Sequence, residues 1–230
     1  MPSPGLLQNV RNKVRHNFDA AFCKSFSDKE TLGDGSQWTM LTRDMNPDTV
    51  IYSGGVGEDI SFELELIHRF GVKVHIFDPS PVGRNTIANA LKDSVGLEKY
   101  LLFKPVGLAS TAIAKFSTGG GNHESVWLKA ATQEDGETLP CTTIPAEMYA
   151  NNHDHIDLLK MDIEGFEYEI LDSCLRIGLN IKQICVEFHD FYPNISKLKT
   201  FHTITHLKQN GFTLIHKHRH DHTFYSSDHL

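Results

Sequence analysis

The sequence predicts an α/β fold: a doubly wound, mostly parallel sheet that ends in an antiparallel hairpin. Three observations carry this expectation. Short apolar runs alternate with segments of helical period through most of the chain. A glycine cluster, Gly54-Gly55-Val56-Gly57, separates the first strong strand from its helix. The last two strand-like runs lie too close for a helical crossover, so they should pair antiparallel.

In order, residues 1–47 read as an N-terminal helical extension and residues 48–230 as the main domain. Val10, Val14, Phe18, Ala21 and Phe22 recur at helical spacing. Gly33-Asp34-Gly35-Ser36 reads as a loop, and Asn46-Pro47-Asp48 breaks the chain before the first strand. Then follow a strand at 49–53, a helix at 60–70, a strand at 72–77, a helix at 82–91 and a strand at 100–104. Ile60, Leu64, Ile67 and Phe70 share one face of the first of these helices. Residues 107–145 break the rhythm with short β-like pieces at 113–117, 125–128 and 141–144. The alternation resumes with a strand at 156–161, a helix at 166–175, a strand at 181–187 and a helix at 195–208. Asn210-Gly211 ends that helix, as glycine does just past a helix C-terminus. Strands at 212–216 and 223–226 flank a histidine-rich turn. Repeated strand–helix alternation puts helices on both faces of a parallel sheet.

Bulk composition narrows the function. The chain has 230 residues, 40% of them hydrophobic, enough for a core that needs no metal or disulfide staple. A formal net charge of −7 speaks against a nucleic-acid partner. The four cysteines lack CxxC spacing, and Cys174 and Cys185 fall in apolar segments, so reduced core thiols are expected. No apolar run reaches the roughly 18 residues of a membrane span, and the basic N-terminus lacks an apolar signal region. A soluble chain in the cytoplasm is the expectation. Of the fourteen histidines, His216, His218, His220, His222 and His229 crowd the end. Lys217 and Arg219 among them would repel a cation, so an exposed hairpin is the plainer reading.

The glycine cluster continues into Glu58 and Asp59. Glycine there lets the backbone turn tightly and approach a ligand. Gly55 and Gly57 fit a dinucleotide fingerprint, but Ile60 holds its third glycine position. Two acids at the helix start would repel a pyrophosphate and suit a cationic ligand such as S-adenosylmethionine. An ordinary strand-to-helix turn capped by Asp59 is the structural alternative. Asp78, about twenty residues beyond the glycines, stands where an acid reaches both ribose hydroxyls; its alternative is to cap the next helix. Ser53, Gly54, Gly55, Gly57, Glu58, Asp59, Asp78 and Asp162 form the candidate cofactor-binding set.

A second site lies where two later strands end. Leu158-Leu159-Lys160-Met161-Asp162-Ile163-Glu164-Gly165-Phe166-Glu167 carries a buried-type run straight into acids. Glu187 and His189 leave the next strand. If the strands are neighbours, Asp162, Glu164, Glu187 and His189 converge as the candidate catalytic set. A carboxylate or imidazole there could take the proton of an attacking hydroxyl. Asp162, Glu187 and His189 could instead hold a divalent cation that lowers the hydroxyl's pKa. Glu164 could simply complement a helix dipole. Glu167 and Glu169 are expected on solvated or helix-pairing faces, and Lys160 is expected to neutralise the nearby acids.

A mostly parallel sheet closed by a C-terminal hairpin is the architecture of a class I methyltransferase. The segment Val50 to Phe62, then Phe77-Asp78-Pro79, then Lys160-Met161-Asp162-Ile163-Glu164-Gly165-Phe166-Glu167 resembles the FkbM-type methyltransferases, in order from about residue 48 to 226. The resemblance implies a Rossmann-like, seven-stranded sheet and an S-adenosylmethionine-dependent O-methyltransferase. It implies a sugar, glycan or other hydroxylated small molecule as acceptor. By position, Gly55 and Gly57 would approach the methionine part of the cofactor and Asp78 the ribose. Asp162 would sit beside the transferring methyl, with Glu164 near the acceptor. One departure is Ser53, which stands where many methyltransferases place an acid; Glu58 or Asp59 is the expected substitute. A non-catalytic nucleotide-binding module of a larger glycan- or metabolite-modifying assembly is the alternative. An NAD enzyme is a weaker third. Residues 107–145 and the extension are candidates for shaping the acceptor pocket.

Overall fold

The structure is a computed structural model and describes residues 23–118, 128–130 and 137–229. Its elements are β1 (Lys29–Leu32), β2 (Trp38–Leu41), β3 (Val50–Gly54), α1 (Ser61–Phe70), β4 (Lys73–Phe77), α2 (Pro81–Asp93), β5 (Leu101–Lys104), β6 (Gly107–Leu108), β7 (Ile113–Thr118), β8 (Leu128–Ala130), β9 (Glu137–Thr142), α3 (Ile144–Asn151), β10 (Ile156–Met161), α4 (Glu167–Arg176), β11 (Ile181–Glu187), α5 (Lys197–Gln209), β12 (Phe212–His218) and β13 (Asp221–Ser226).

Seven strands form the main sheet in the order β12-β13-β11-β10-β3-β4-β5. Six of them point one way, and β13, between β11 and β12, points the other. This is the Rossmann-like sheet with a C-terminal antiparallel hairpin that the sequence predicts. A smaller sheet, β6-β9-β7-β8, grows from the irregular 107–145 segment.

Side chains alternate across a strand, so β10 feeds two cores. Leu158 packs with Ile51, Val74 and Leu66 on one face; Leu159 and Met161 pack with Phe77, Ile184 and Phe188 on the other. Burial on both faces explains why β10 reads as a nearly unbroken apolar run. Leu32, Trp38 and Met40 of the β1–β2 hairpin belong to the first of these cores. Thr223 Oγ1 donates to Thr39 O at 2.6 Å, and Leu41 N donates to Gln183 Oε1 at 2.8 Å. The described part of the extension is therefore a hairpin stitched to the sheet; the expected helix near residues 10–22 lies outside the described residues.

Two elements depart from the sequence reading. Residues 141–144 were expected to be β-like; instead β9 ends at Thr142, and Thr143 caps α3 by accepting from Ala146 N at 3.3 Å. That helix spans only Ile144–Asn151 and shows little amphipathic contrast, which leaves periodicity nothing to detect. On α1 the deeply buried residues are Phe62, Glu63, Leu66 and Ile67, a stripe rotated from the expected one. Glu63 is in that stripe because a buried cation faces it.

The direction in which strands are added reverses between β3 and β10, the place where open α/β sheets hold ligands. There the backbones nearly touch. Asp162 N donates to Gly54 O at 3.0 Å, and Gly55 N donates to Phe77 O at 2.9 Å. A Cβ on Gly55 would overlap the Asp162 carbonyl, and its φ of 78° suits glycine alone. We therefore expect Gly55→Ala to destabilise the fold by about 2 kcal/mol or more, from strain and the clash together. Urea unfolding checks this; an unchanged midpoint contradicts it.

Candidate functional site

Three chain segments build one cavity of about 320 Å³ at the switch point. The turn after β3 supplies Gly55, Val56, Gly57, Glu58 and Asp59; the exit of β4 supplies Asp78; the exit of β10 supplies Asp162, Ile163 and Glu164. Leu108 and Phe116 of the small sheet, with Phe166, add apolar wall. The size suits a small organic ligand.

Asp78 is buried and organises the glycine turn. Its Oδ2 accepts from Val56 N at 2.9 Å and Gly57 N at 3.1 Å, and its Oδ1 accepts from Ser80 N at 2.7 Å. A carboxylate offers roughly four acceptor positions, so about one remains for a ligand hydroxyl. Asp78 does not cap α2: Ser80 does, accepting from Gly83 N at 2.9 Å.

Ile60 is the N-cap of α1, and Asp59, one residue earlier, braces the helix start. Its Oδ1 accepts from Ser61 N at 2.7 Å, and its Oδ2 takes Ser61 Oγ and Ser36 N. Its charge is held by the loop and helix start, which leaves Glu58 as the exposed acid on this wall. Ser53 and Gly54 are buried and stand behind the cavity, not in its wall.

Under the turn lies an unforeseen buried pair. Lys160 and Glu63 are 3% and 1% exposed and stand 3.8 Å apart. Ser53 Oγ donates to Glu63 Oε1 at 2.6 Å. The Lys160 ammonium donates to Gly55 O and lies 5.4 Å from the Trp38 ring. Lys160 thus serves the glycine turn and Glu63 rather than the acids at the β10 exit. The missing signal was available: a lysine inside a buried strand demands a buried anion.

Beyond the cavity's acidic end stands His189, 1% exposed. Glu167, fully buried, fixes it: Oε1 accepts from His189 N at 3.0 Å and lies 3.3 Å from Nδ1, while Oε2 accepts from Gly165 N at 2.9 Å. The expectation that Glu167 lies on a solvated face is corrected: the β10 exit turns it inward because three polar groups need it there. His189 Nε2 faces Glu164 at 3.4 Å, Asp162 at 3.6 Å and Glu187 at 4.0 Å. The structure thus brings together all four candidate catalytic residues, as pairing of β10 with β11 requires.

Electrostatics at this edge are strong. Burial, then the Asp162 charge, pushes Glu187 up to about 8. Burial pulls the His189 imidazole down, but Glu167, Glu164 and Asp162 outweigh it and hold it at about 9. Burial, then Asp162, raises Asp221 to about 6, and burial raises Glu164 as well. Tyr192 donates its hydroxyl to Glu164, which sits in the left-handed region at φ 58°. That conformation costs a non-glycine residue about 1 kcal/mol or more and is kept where the surroundings fix it. Asp221 and Tyr192 carried no spacing signal in the sequence.

The His-rich turn is split. His218 is exposed, as expected, while His222 is buried against Phe188, 5.1 Å between rings. Cys174 and Cys185 are buried free thiols, as expected. Among the described residues, no helix is long and apolar enough to cross a membrane.

This geometry agrees with the comparisons. The family model described as "Methyltransferase FkbM domain" matches residues 53–214. The chain belongs to that family. Among solved structures, it is similar to the methyltransferase FkbM from Methylobacillus flagellatus KT, at 14% identity and a TM-score of 0.48, over 79% of this chain and 44% of that one. It is also similar to a fibrillarin pre-rRNA processing protein of Methanococcus jannaschii, at 10% identity and a TM-score of 0.44, over 87% and 83% of the two chains. Aeropyrum pernix fibrillarin, solved with natively bound S-adenosyl-L-methionine, matches at 8% identity and a TM-score of 0.42, over 88% and 83%. The chain spans less than half of the Methylobacillus protein. No curated protein matches it. Membership rests on the family match, not on these distant likenesses.

The buried pair makes a prediction. Lys160→Met should cost about 3–5 kcal/mol by stranding the Glu63 carboxylate, and adding Glu63→Gln should recover much of that loss. Chemical denaturation of the singles and the double checks it; a double as unstable as the sum of the singles contradicts the pairing.

Proposed function

We propose that the chain transfers the methyl group of S-adenosylmethionine to a hydroxyl of a sugar or glycan. One observation carries this reading. The cavity beside the glycine turn and Asp78 ends at Asp162 and Glu164, directly in front of a buried histidine with a raised pKa and a carboxylate with a raised pKa. Cofactor site and proton-handling site therefore share one wall.

The chemistry follows from that wall. Methyl transfer needs the acceptor oxygen in line with the sulfonium, and the sulfonium carbon needs a polar, anionic end to the cavity. Asp162 supplies that charge. A sugar hydroxyl ionises far above neutrality, so it attacks well only as its proton leaves. Asp162 or Glu187 takes that proton, and His189, held in place by Glu167, steadies the resulting charges from its Nε2 side. A divalent cation at the same edge is the second route to activation, because a bound hydroxyl is more acidic. A polyanionic acceptor is disfavoured by the carboxylates.

Isothermal titration with S-adenosylhomocysteine tests the cofactor half. Wild type should bind; Asp78→Asn should weaken binding about 10- to 100-fold through lost charged hydrogen bonds. Absence of binding by wild type ends the proposal. Asp162→Asn should keep much of that affinity while turnover on a hydroxylated glycan falls by at least about 100-fold; equal turnover would remove Asp162 from the chemistry.

A further inference from the structure

The arrangement around His189 goes further than proton transfer. Three features of it are not explained by a base alone. The imidazole is held by Glu167 on its Nδ1 side, and its Nε2 faces the acids at the β10 exit. It points at Glu164 Oε2, 3.4 Å away, and Asp162 Oδ1, 3.6 Å away. One donor atom from each of Asp162, Glu164 and His189 lies within 4.8 Å of the others.

We propose that Asp162, Glu164 and His189 form a divalent-cation site, with Glu167 as its positioning residue. Ligand atoms about 2.1 Å from an octahedral ion stand about 3 Å apart, against 3.4 and 3.6 Å from Nε2 to the two carboxylates and at most 4.8 Å across the three donors here. Small side-chain movements would close them around an ion. A ligating histidine commonly gives its other ring N–H to a carboxylate, which fixes the ring and aims the lone pair. Glu167 stands in that relation to His189. Two carboxylates and one imidazole make a mixed, mostly oxygen donor set, suited to Mn²⁺ or Mg²⁺ rather than to a thiolate-seeking metal. Three protein ligands leave about three positions of an octahedron for water and acceptor oxygen. Glu187, 4.0 Å from Nε2, is outside the set and remains available as the base.

The pairing of charges points the same way. Asp162, Glu164, Glu167 and Glu187 each bring a carboxylate oxygen within 4.0 Å of an imidazole nitrogen, an excess of carboxylates that a divalent ion would balance. The role of the ion in activating a hydroxyl rests on the methylation reading; its binding does not.

Mn²⁺ is the probe, because its free-ion EPR signal falls as it binds. Wild-type protein should take up about one Mn²⁺ and rise in thermal midpoint on doing so. His189→Gln and Glu164→Gln should each weaken uptake about tenfold or more, and Glu167→Gln, which touches no ion, about tenfold. Glu98→Gln, on the far surface, should leave uptake unchanged. Circular dichroism shows whether each variant is folded, and only folded variants count. S-adenosylhomocysteine titration of His189→Gln should be unchanged, which separates loss of the ion from loss of the cofactor site. No Mn²⁺ uptake by wild type at about millimolar concentration overturns the proposal. So does uptake that folded His189→Gln and Glu164→Gln both leave intact.

Discussion

The approach of β3 to β10 is the constraint on which the site depends. Gly55 lies against the Asp162 carbonyl, so neither strand can end differently without moving the other. That contact sets the glycine turn over the cavity, and the same backbone crossing delivers Asp162 into it. Lys160 reinforces it from below, donating to Gly55 O with Glu63 standing beside its Nζ. A buried ion pair is weak evidence for stability. Here its geometry serves position instead: the cation sits where the carbonyl of the turn needs a donor.

From that crossing the acids follow in sequence. Asp78 ties down the turn's amides with two of its oxygen contacts, and Asp59 ties the turn to the loop at Ser36. On the other strand, the β10 exit carries Asp162, Glu164 and Glu167 past Gly165, and Glu167 swings back to pin His189 from β11. The cavity and the acid edge are therefore two ends of one mechanically continuous piece. Burial and then the neighbouring Asp162 raise Glu187, whereas burial lowers His189 and the acids Glu167, Glu164 and Asp162 outweigh it.

Much of this was legible in the chain. The strand–helix alternation gave the sheet, and the glycines with Asp78 marked the ligand edge. Neighbouring strand exits were enough to join Asp162 to His189. What escaped is instructive. Glu63 and Lys160 find each other across a helix and a strand, and only a burial argument links them. Glu167 looked like a helix-surface acid because spacing says nothing about which way the exit turns, while Tyr192 and Asp221 reach the site from segments with no motif. The α3 helix was missed because its capping Thr143 and early proline outweigh its weak periodicity. Each failure lies in long-range side-chain pairing or a short local cap, neither of which leaves a period.

The central claim is that the acid edge activates an oxygen nucleophile for methyl transfer. The most direct measurement uses S-adenosylmethionine labelled with ¹³C at the transferred methyl, a panel of hydroxylated glycans, and ¹³C NMR of the products. The account predicts a new resonance in the methoxy region, lost in Asp162→Asn. A product signal in the N-methyl or C-methyl region, or no transferred label from a protein shown to bind the cofactor, would contradict it.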